Sequence, residues 1–318
     1  MRRMKKWIAL VLCLCMFSVS CLALTGCSSV GDGKKIIRIA HSQSETHPEH
    51  LGLLKFKEYV EENLGDKYEV QIYPNELLGS QKKAIELTQT GAIDFTLVGT
   101  PNLENFADVY EVFSMPYLFT SEEAYHAAMM DTDYMDKIYE STDEAGFRVL
   151  TWYDVGSRSF YAKKKIETPT DLKGLKIRVQ ESPASIKMAN AFGAAASPMS
   201  FGEVAKYYSY NRHQMVPDVL VGNLKFLNSL SDDEMKVFKE AAALSTEVER
   251  EEWSKQVEQA KKIAQEDMGV TFVDVDVQPF KEAVKDVQKE MLADNPDIKD
   301  LYEHIQTFNA KYEGKGDD

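Results

Sequence analysis

Two arginines lie where a guanidinium group could bind a carboxylate. In Leu175-Lys176-Ile177-Arg178-Val179, apolar and basic residues alternate, which predicts a strand with Arg178 near its carboxyl end. Arg158 follows Gly156-Ser157 just after another predicted strand, where we expect the chain to cross between two lobes. A guanidinium donates two parallel hydrogen bonds to a carboxylate, so both arginines are candidate contacts for an organic acid. A solvated surface arginine is the alternative for each.

Signatures of catalysis and of metal binding are weak. The sequence has no Gly-x-Ser-x-Gly nucleophile motif and no glycine-rich phosphate loop. His47 and His50 lie beside Glu45 and Glu49 with a spacing that could bind a metal. The same residues fit a helix start at which Thr46 is the cap and the acids interact favourably with the helix dipole. We therefore expect no enzyme activity, no metal and no cofactor.

An aromatic pair precedes Arg158. Trp152 and Tyr153 end the predicted strand Phe147–Tyr153. A ring at this position can stack on a sugar, although aromatic residues in strands more often belong to the core. Trp152 is therefore a candidate ligand contact, and uronates or other sugar acids are the first expectation for the ligand.

An alternation of strands and helices must position these residues. The pattern predicts strands at 36–40, 69–73 and 93–98. It places one helix from Thr46 to Gly65 and a second between Ser80 and Gly91. This β-α-β-α-β order predicts a parallel sheet with right-handed crossovers. Ligands bind beyond the carboxyl ends of such strands, which points to the loops at 41–46 and 99–104.

A second lobe begins like the first. It has a predicted strand at 175–180 and a helix at 183–192, and residues 270–275 form a last strand before two more helices. A capping box of Ser231 and Glu234 opens a helical pattern over 232–268, which extends to roughly 55 Å and is expected to cross both lobes. We predict lobe one from residues 36–154 with about 216–255, and lobe two from residues 155–215 with about 256–318.

The composition is that of an acidic globular protein. The 318 residues include 37 Lys or Arg and 51 Asp or Glu, so the formal charge is −14. This balance excludes a protein that binds the phosphate backbone of nucleic acid. The length suggests two domains with a substantial core.

The amino terminus resembles a lipoprotein signal. Four of the first six residues are basic, and 7–24 is an uncharged, mostly apolar run, which predicts export. A single membrane-spanning anchor is the alternative. Leu24-Thr25-Gly26-Cys27 resembles the bacterial lipobox, so we expect residues 1–26 to be a signal peptide, Cys27 to be acylated, and 27–35 to be a tether. Without its four signal-peptide bases the mature chain has a formal charge of −18, so acyl chains must hold it at the cell membrane.

Several motifs occur in an order that resembles the extracytoplasmic solute-binding subunits of tripartite ATP-independent periplasmic (TRAP) transporters. The resemblance covers nearly all of the mature chain. The motifs are Tyr73-Pro74-Asn75-Glu76-Leu77-Leu78-Gly79, Gly91-Ala92-Ile93-Asp94-Phe95, Met115-Pro116-Tyr117-Leu118-Phe119, Gly156-Ser157-Arg158 and Asp171-Leu172-Lys173-Gly174-Leu175-Lys176-Ile177-Arg178-Val179.

This resemblance implies an α/β fold of the two-lobed periplasmic binding protein type, with a hinge and a long lobe-spanning helix. It implies that the protein captures a small organic acid and passes it to TRAP permease subunits in the membrane. By matching motif, Arg178 is the carboxylate clamp and Arg158 a second cationic contact. His41, Gly99 and Glu104 fall on loops that line the first-lobe wall in such proteins.

Three other functions stay open. A C4-dicarboxylate is the alternative ligand class. A secreted enzyme acting on acidic sugars needs two carboxylates at a fixed separation, and no spacing here singles out such a pair. A lipoprotein that has lost its binding function is the third possibility.

The third possibility arises from an apparent deletion. In relatives, a helix, a strand and a cleft loop separate the equivalents of Val204 and Ala205, which are adjacent here. Roughly 25 to 30 residues are absent by that resemblance, so we expect lobe two to be incomplete.

Overall fold

Short strands alternate with helices through most of the chain. A computed structural model describes residues 33–180, 182–198, 207–293 and 295–313; the predicted signal, Cys27 and the Val204/Ala205 junction lie outside them. Residues 36–318 form one compact unit that contains both lobes. The strands are β1 (Lys35–Ala40), β2 (Tyr68–Tyr73), β3 (Phe95–Gly99), β4 (Phe147–Tyr153), β5 (Ser157–Ala162), β6 (Lys176–Val179), β7 (Ala195–Pro198), β8 (Tyr207–Met215), β9 (Asp218–Asn223) and β10 (Thr271–Asp274).

The α-helices range from single turns to one of 35 residues. They are α1 (Pro48–Leu64), α2 (Gln81–Thr90), α3 (Glu122–Met129), α4 (Thr132–Glu140), α5 (Pro183–Ala191), α6 (Leu224–Leu227), α7 (Asp232–Glu266), α8 (Gln278–Ala283), α9 (Lys285–Ala293) and α10 (Pro296–Lys311). Among the described residues, none of the helices combines the length and the apolar character needed to cross a membrane.

Lobe one is built on a five-stranded sheet in the order β2-β1-β3-β9-β4. β1 pairs with β3 in parallel, as the β-α-β pattern predicted, but β9 runs antiparallel to both β3 and β4. The expectation of a purely parallel sheet is therefore wrong. The short connection from β8 to β9 returns the chain from lobe two to lobe one. β9 therefore begins beside the last residue of β3 and runs in the opposite direction.

Lobe two contains two separate sheets. One has the order β10-β8-β5 and the other consists of β6 and β7 alone. In lobe one the first strand of the β-α-β unit, β1, has a neighbour on each side. Its counterpart β6 pairs only with β7 among the described residues, and Arg178 on this strand is exposed.

The long helix α7 connects the two lobes, as the sequence predicted. Its capping box forms, with the Ser231 side chain accepting from the Glu234 backbone N–H and the Glu234 side chain accepting from the Ser231 N–H. Its 35 residues extend about 52 Å. Near its start Glu240 accepts a hydrogen bond from Tyr59 of α1, whereas further along Lys261 lies close enough to Tyr210 of β8 to interact electrostatically.

The helix α1 begins one residue later than predicted. His47, not Thr46, is its cap, with an extended backbone and with Nδ1 accepting a hydrogen bond from the Glu49 N–H at 3.3 Å. The residue before a proline is biased toward extended conformations, so Pro48 places the cap at His47. The side chain of Glu49 is then available for other contacts.

The carboxyl-terminal helix α10 packs on lobe one. Its Ile298, Leu301 and Ile305 belong to the same buried cluster as Phe113 and Leu118. The sequence assigned residues 256–318 to lobe two, and α10 departs from that assignment because its apolar face is covered by lobe-one residues. The first of the two helices predicted after the strand at 270–275 is also divided, into α8 and α9.

Candidate functional site

The carboxyl ends of β3 and β6 meet between the lobes. A Cβ atom added to Gly99, the last residue of β3, would lie 3.1 Å from Asp218 Oδ1 and 3.6 Å from Gln180 Nε2. Gln180 directly follows β6, and Asp218 opens β9 in register with Gly99. The missing side chain of Gly99 therefore leaves room for one polar residue from each neighbouring strand end.

Arg158 lies beside this meeting point. It is on β5, paired with Gln214 of β8. Burial lowers its pKa, Asp218 opposes that change, and the positive charge of Arg178 lowers the pKa further. The two arginines predicted from the sequence are thus close enough to influence each other. A ligand carboxylate placed between them would relieve their mutual repulsion.

Asp218 joins the arginines to a buried group of acids. Burial raises the pKa of Glu49, and the nearby charges of Asp218 and Glu249 and a hydrogen bond to Asp218 raise it further. Burial also raises the pKa of Asp218, whereas the positive charge of Arg158 and the hydrogen bond with Glu49 oppose this change. Asp218 is therefore the acid of this group that interacts electrostatically with Arg158.

A second set of polar contacts holds the chain where it leaves β4. The Asp154 N–H donates to Glu249 Oε2 at 3.0 Å, and Asp154 Oδ1 accepts from the Gly156 N–H at 2.8 Å. Burial raises the pKa of Glu249 to about 9. Gly156 has φ +62° and faces Trp253 of α7, whose Nε1 would be 3.1 Å from an added Cβ. The chain segment that leads from β4 to Arg158 therefore packs against α7.

The tautomer of His126 follows from its neighbours. Arg250 Nη2 lies 3.0 Å from His126 Nδ1 and can only donate, so Nδ1 is the acceptor. The proton is then on Nε2, which donates to Asp154 Oδ2 at 2.6 Å. His126 therefore positions Asp154, a structural role of the kind expected for an isolated histidine.

Glu104 links the two lobes. Its side chain is 4% exposed, and the Ser114 hydroxyl donates to Oε1 at 2.5 Å. The Ser182 hydroxyl, which caps α5 in lobe two, is a further hydrogen-bonding partner. Burial raises the pKa of Glu104 to about 7, an effect that these two hydroxyls partly offset.

His41 belongs to a histidine group at the start of α1. Its Nδ1 accepts from the Gln43 N–H at 3.2 Å, so its Nε2 carries the proton and donates to His50 Nδ1 at 3.0 Å. Burial, with the neighbouring His50 and His47, lowers the pKa of His41 to about 3. Among the described residues no group of three or more His, Cys, Asp and Glu has the arrangement of a metal site.

Trp152 has a different environment from the one expected. It is 3% exposed and packs in the lobe-one core, with its ring 5.3 Å from that of Tyr125. The Arg250 guanidinium lies 5.6 Å from its ring centroid. This burial and these contacts favour a packing role over stacking on a sugar.

Several residues at the site were not found from the sequence. Gln180 and Asp218 are ordinary polar residues at strand ends, and only the strand order brings them to Gly99. Asn75 and Glu76 carried a signal, because a Pro-Asn pair is a common turn sequence and asparagine tolerates positive φ. Both have positive φ, 57° and 54°, and their N–H groups donate to the loop that holds His41.

Comparison with known proteins gives a consistent family. The sequence profile of the bacterial extracellular solute-binding proteins, family 7 (DctP), matches residues 39–206 and 201–295. The uncharacterized protein YiiZ of Salmonella typhimurium is 33% identical over 312 residues, which span 89% of this chain and 95% of YiiZ.

Solved structures agree with the sequence matches. A TRAP periplasmic solute-binding protein from Anaerococcus prevotii with bound D-glucuronate has 46% identity and a TM-score of 0.85, over 88% of this chain and 99% of that one. A TRAP protein from Sulfitobacter sp. NAS-14.1 with bound β-D-galacturonate has 28% identity and a TM-score of 0.80, over 86% of this chain and 100% of that one.

The matches also divide where the deletion was expected. The two segments of the family match meet at 201–206, which contains the Val204/Ala205 junction. The interrupted match, the two-lobed fold and the paired arginines lead to one assignment. The chain belongs to the DctP family of bacterial extracellular solute-binding proteins, the solute-binding subunits of TRAP transporters.

Proposed function

We propose that this chain binds a hexuronate, with D-glucuronate as the first ligand to test, and delivers it unchanged to TRAP membrane subunits. The observation that carries the proposal is the bound D-glucuronate in the Anaerococcus prevotii protein, which is 46% identical to this chain. That identity extends over 88% of this chain, so it includes both lobes.

The arginines supply the acid-binding chemistry. Arg178 forms a bidentate pair with the ligand carboxylate, and Arg158 supports it from β5. Asp218 lies close enough to Arg158 to attract its positive charge, which favours a guanidinium that is organised before the ligand arrives. Preorganisation of this kind reduces the ordering cost of binding.

The first-lobe side of the proposed site uses Gly99, Glu104 and His41. Gly99 admits the close approach of Gln180, and Glu104 reaches the cap of α5. Both contacts join lobe one to lobe two. A ligand held by Arg178 and these loops would therefore favour the closed arrangement.

The protein acts outside the cytoplasm, like the rest of its family. We propose in addition that Cys27 is acylated and that the acyl chains hold the mature protein at the cell membrane, with 27–35 as the tether. The surplus of acidic residues supports this proposal, because anionic headgroups repel a chain of charge −18.

A C4-dicarboxylate is the second candidate ligand. The C4-dicarboxylate-binding periplasmic protein DctP of Rhodobacter capsulatus is 32% identical over 53% of this chain and 51% of its own length. This match covers about half of each protein, whereas the match to the glucuronate-bound protein covers both lobes.

Titration calorimetry with D-glucuronate, D-galacturonate and succinate distinguishes these candidates. Hexuronate binding is expected, and tighter binding of succinate contradicts the proposal. Arg178→Ala should weaken binding by about 2 to 5 kcal/mol, and Arg178→Lys should lose much of the affinity because an ammonium cannot form the bidentate pair.

A matched control tests whether the effect of Arg178 is specific. Lys176→Ala removes an exposed positive charge from the same strand, two residues from Arg178. This variant should keep nearly the parent affinity. An equal loss in both variants would mean that β6 contributes only a general positive potential.

A further inference from the structure

Gln180 places an unused hydrogen-bond acceptor between the lobes. Its side chain extends from the end of β6 to lobe one, where Nε2 is 3.6 Å from the Cβ position of Gly99. Its Oε1 atom is shielded from solvent, and no donor among the described residues reaches it. A buried amide oxygen without a partner is uncommon in a folded protein and is unfavourable.

The two groups that border Gln180 at Gly99 do not donate to its Oε1 atom. The Gly99 N–H already donates to Gln81 Oε1 at 3.0 Å. Asp218 Oδ1, which also borders Gly99, makes no hydrogen bond to Gln180 Oε1. The acceptor is therefore suited to a donor that arrives with a ligand.

The position of Gln180 relative to Arg178 fits one class of ligand. Gln180 lies two residues beyond Arg178, directly after β6, and two residues of extended chain span roughly 7 Å. A ligand held at Arg178 by its carboxylate can therefore extend to Gln180. A sugar acid then presents hydroxyl groups, which donate, whereas an ionised dicarboxylate presents only acceptors.

We propose that Gln180 is a specificity-determining residue: its Oε1 atom accepts a hydrogen bond from a ligand hydroxyl and thereby selects hydroxylated acids over dicarboxylates. This inference rests on the proposed function, because it requires an acid at Arg178. It adds to the proposed site a residue that contacts the part of the ligand remote from the carboxylate.

The test combines a variant with a series of ligands. Parent and Gln180→Met proteins are titrated with D-glucuronate, with each monodeoxy-glucuronate and with succinate. Methionine has nearly the same length but cannot accept this hydrogen bond. Gln180→Met should bind D-glucuronate about three- to tenfold more weakly, the range expected for one hydrogen bond, and should bind succinate at least as well as the parent does.

The monodeoxy series isolates the contact. One analogue should bind the parent more weakly than D-glucuronate does, by the same factor by which Gln180→Met weakens the binding of D-glucuronate. Gln180→Met should bind this analogue as tightly as it binds D-glucuronate. This non-additivity identifies the hydroxyl that meets Gln180. A general defect in folding weakens every ligand together and cannot produce it. Gln278→Met, an exposed glutamine in lobe two, should behave like the parent.

Two results would overturn the inference in distinguishable ways. If the affinity losses from Gln180→Met and from each missing hydroxyl multiply for every analogue, Gln180 does not bind a ligand hydroxyl. The same follows if Gln180→Met weakens the binding of succinate and of D-glucuronate equally. In both cases the proposed function stands. If the parent binds no hexuronate, the proposed function fails, and the assignment of Gln180 fails with it.

Discussion

Replacing Glu104 with glutamine should change how stability depends on pH. Burial raises the pKa of this carboxyl from 4.5 to about 7 in the folded protein, so the folded state binds the proton more tightly than the unfolded state does. The stability contributed by the protonated group is fully present below pH 4.5 and is lost as the pH rises toward 7. One pKa unit corresponds to 1.36 kcal/mol, so the loss is on the order of 3 kcal/mol.

Glu104→Gln keeps the shape and removes the titration. Its amide oxygen still accepts from the Ser114 hydroxyl, so the variant should match the parent near pH 4.5. Above pH 7 the variant should be the more stable protein, by up to about 3 kcal/mol. Urea unfolding at half-unit intervals from pH 4.5 to 8 measures this difference directly.

The difference in stability between the parent and Glu104→Gln excludes the contributions of the other titrating groups. Glu49 and Glu249 also have raised pKa values, but they are present in both proteins and their contributions cancel in the difference. Glu123→Gln, which changes an exposed acid of α3, should follow the parent at every pH. A difference between parent and Glu104→Gln that does not change between pH 4.5 and 8 would refute the assignment of a raised pKa to Glu104.

Three further predictions follow from the site, the deletion and the anchor. Gly99→Ala should lower the melting temperature by a few degrees and weaken ligand binding roughly tenfold, because the new methyl displaces the buried Asp218; parent affinity in calorimetry would contradict this. Inserting a relative's helix-strand segment between Val204 and Ala205 should slow hydrogen exchange at 175–198 and strengthen binding, whereas tight binding and slow exchange in the parent would show that the deletion is harmless. Cys27→Ala should release the protein from membranes, and an unmodified Cys27 in the mass spectrum of the native protein would exclude the anchor.

The local patterns of the sequence predicted most elements of lobe one. Ser80 caps the helix that was predicted between Ser80 and Gly91, and Gly91 ends this helix, α2, with positive φ. These features depend on neighbouring residues alone, through side-chain hydrogen bonds and backbone sterics. The same is true of β4, whose apolar run coincides with the observed strand.

Pairing over long distances was harder to predict. β9 contains the short apolar run Val219-Leu220-Val221, and nothing within it indicates that it pairs antiparallel with β3 and β4. β8 contains polar residues, including Asn211 and His213, which are buried by partners distant in sequence. Tertiary contacts decide such strands, and a single sequence does not specify those contacts.

The candidate site was predicted in part for the same reason. Arg158 and Arg178 have a distinctive residue type at recognisable strand ends, and the structure brings them together. Asp218 and Gln180 become notable only once Gly99 is placed between them. Trp152 is the opposite case. Its residue type suggested a ligand contact, whereas its burial favours a packing role.

The place of β9 in the sheet has a consequence for the order of folding. Phe95 of β3 pairs with Gly222, so the centre of lobe one contains a strand that is made only after all of β5 through β8. Until those residues are available, β3 and β4 lack the strand that joins them. Pairing between such distant segments is slow. A chain that crosses a membrane before it folds benefits from this delay, since the first lobe cannot become a closed, compact body while most of the second is still unmade.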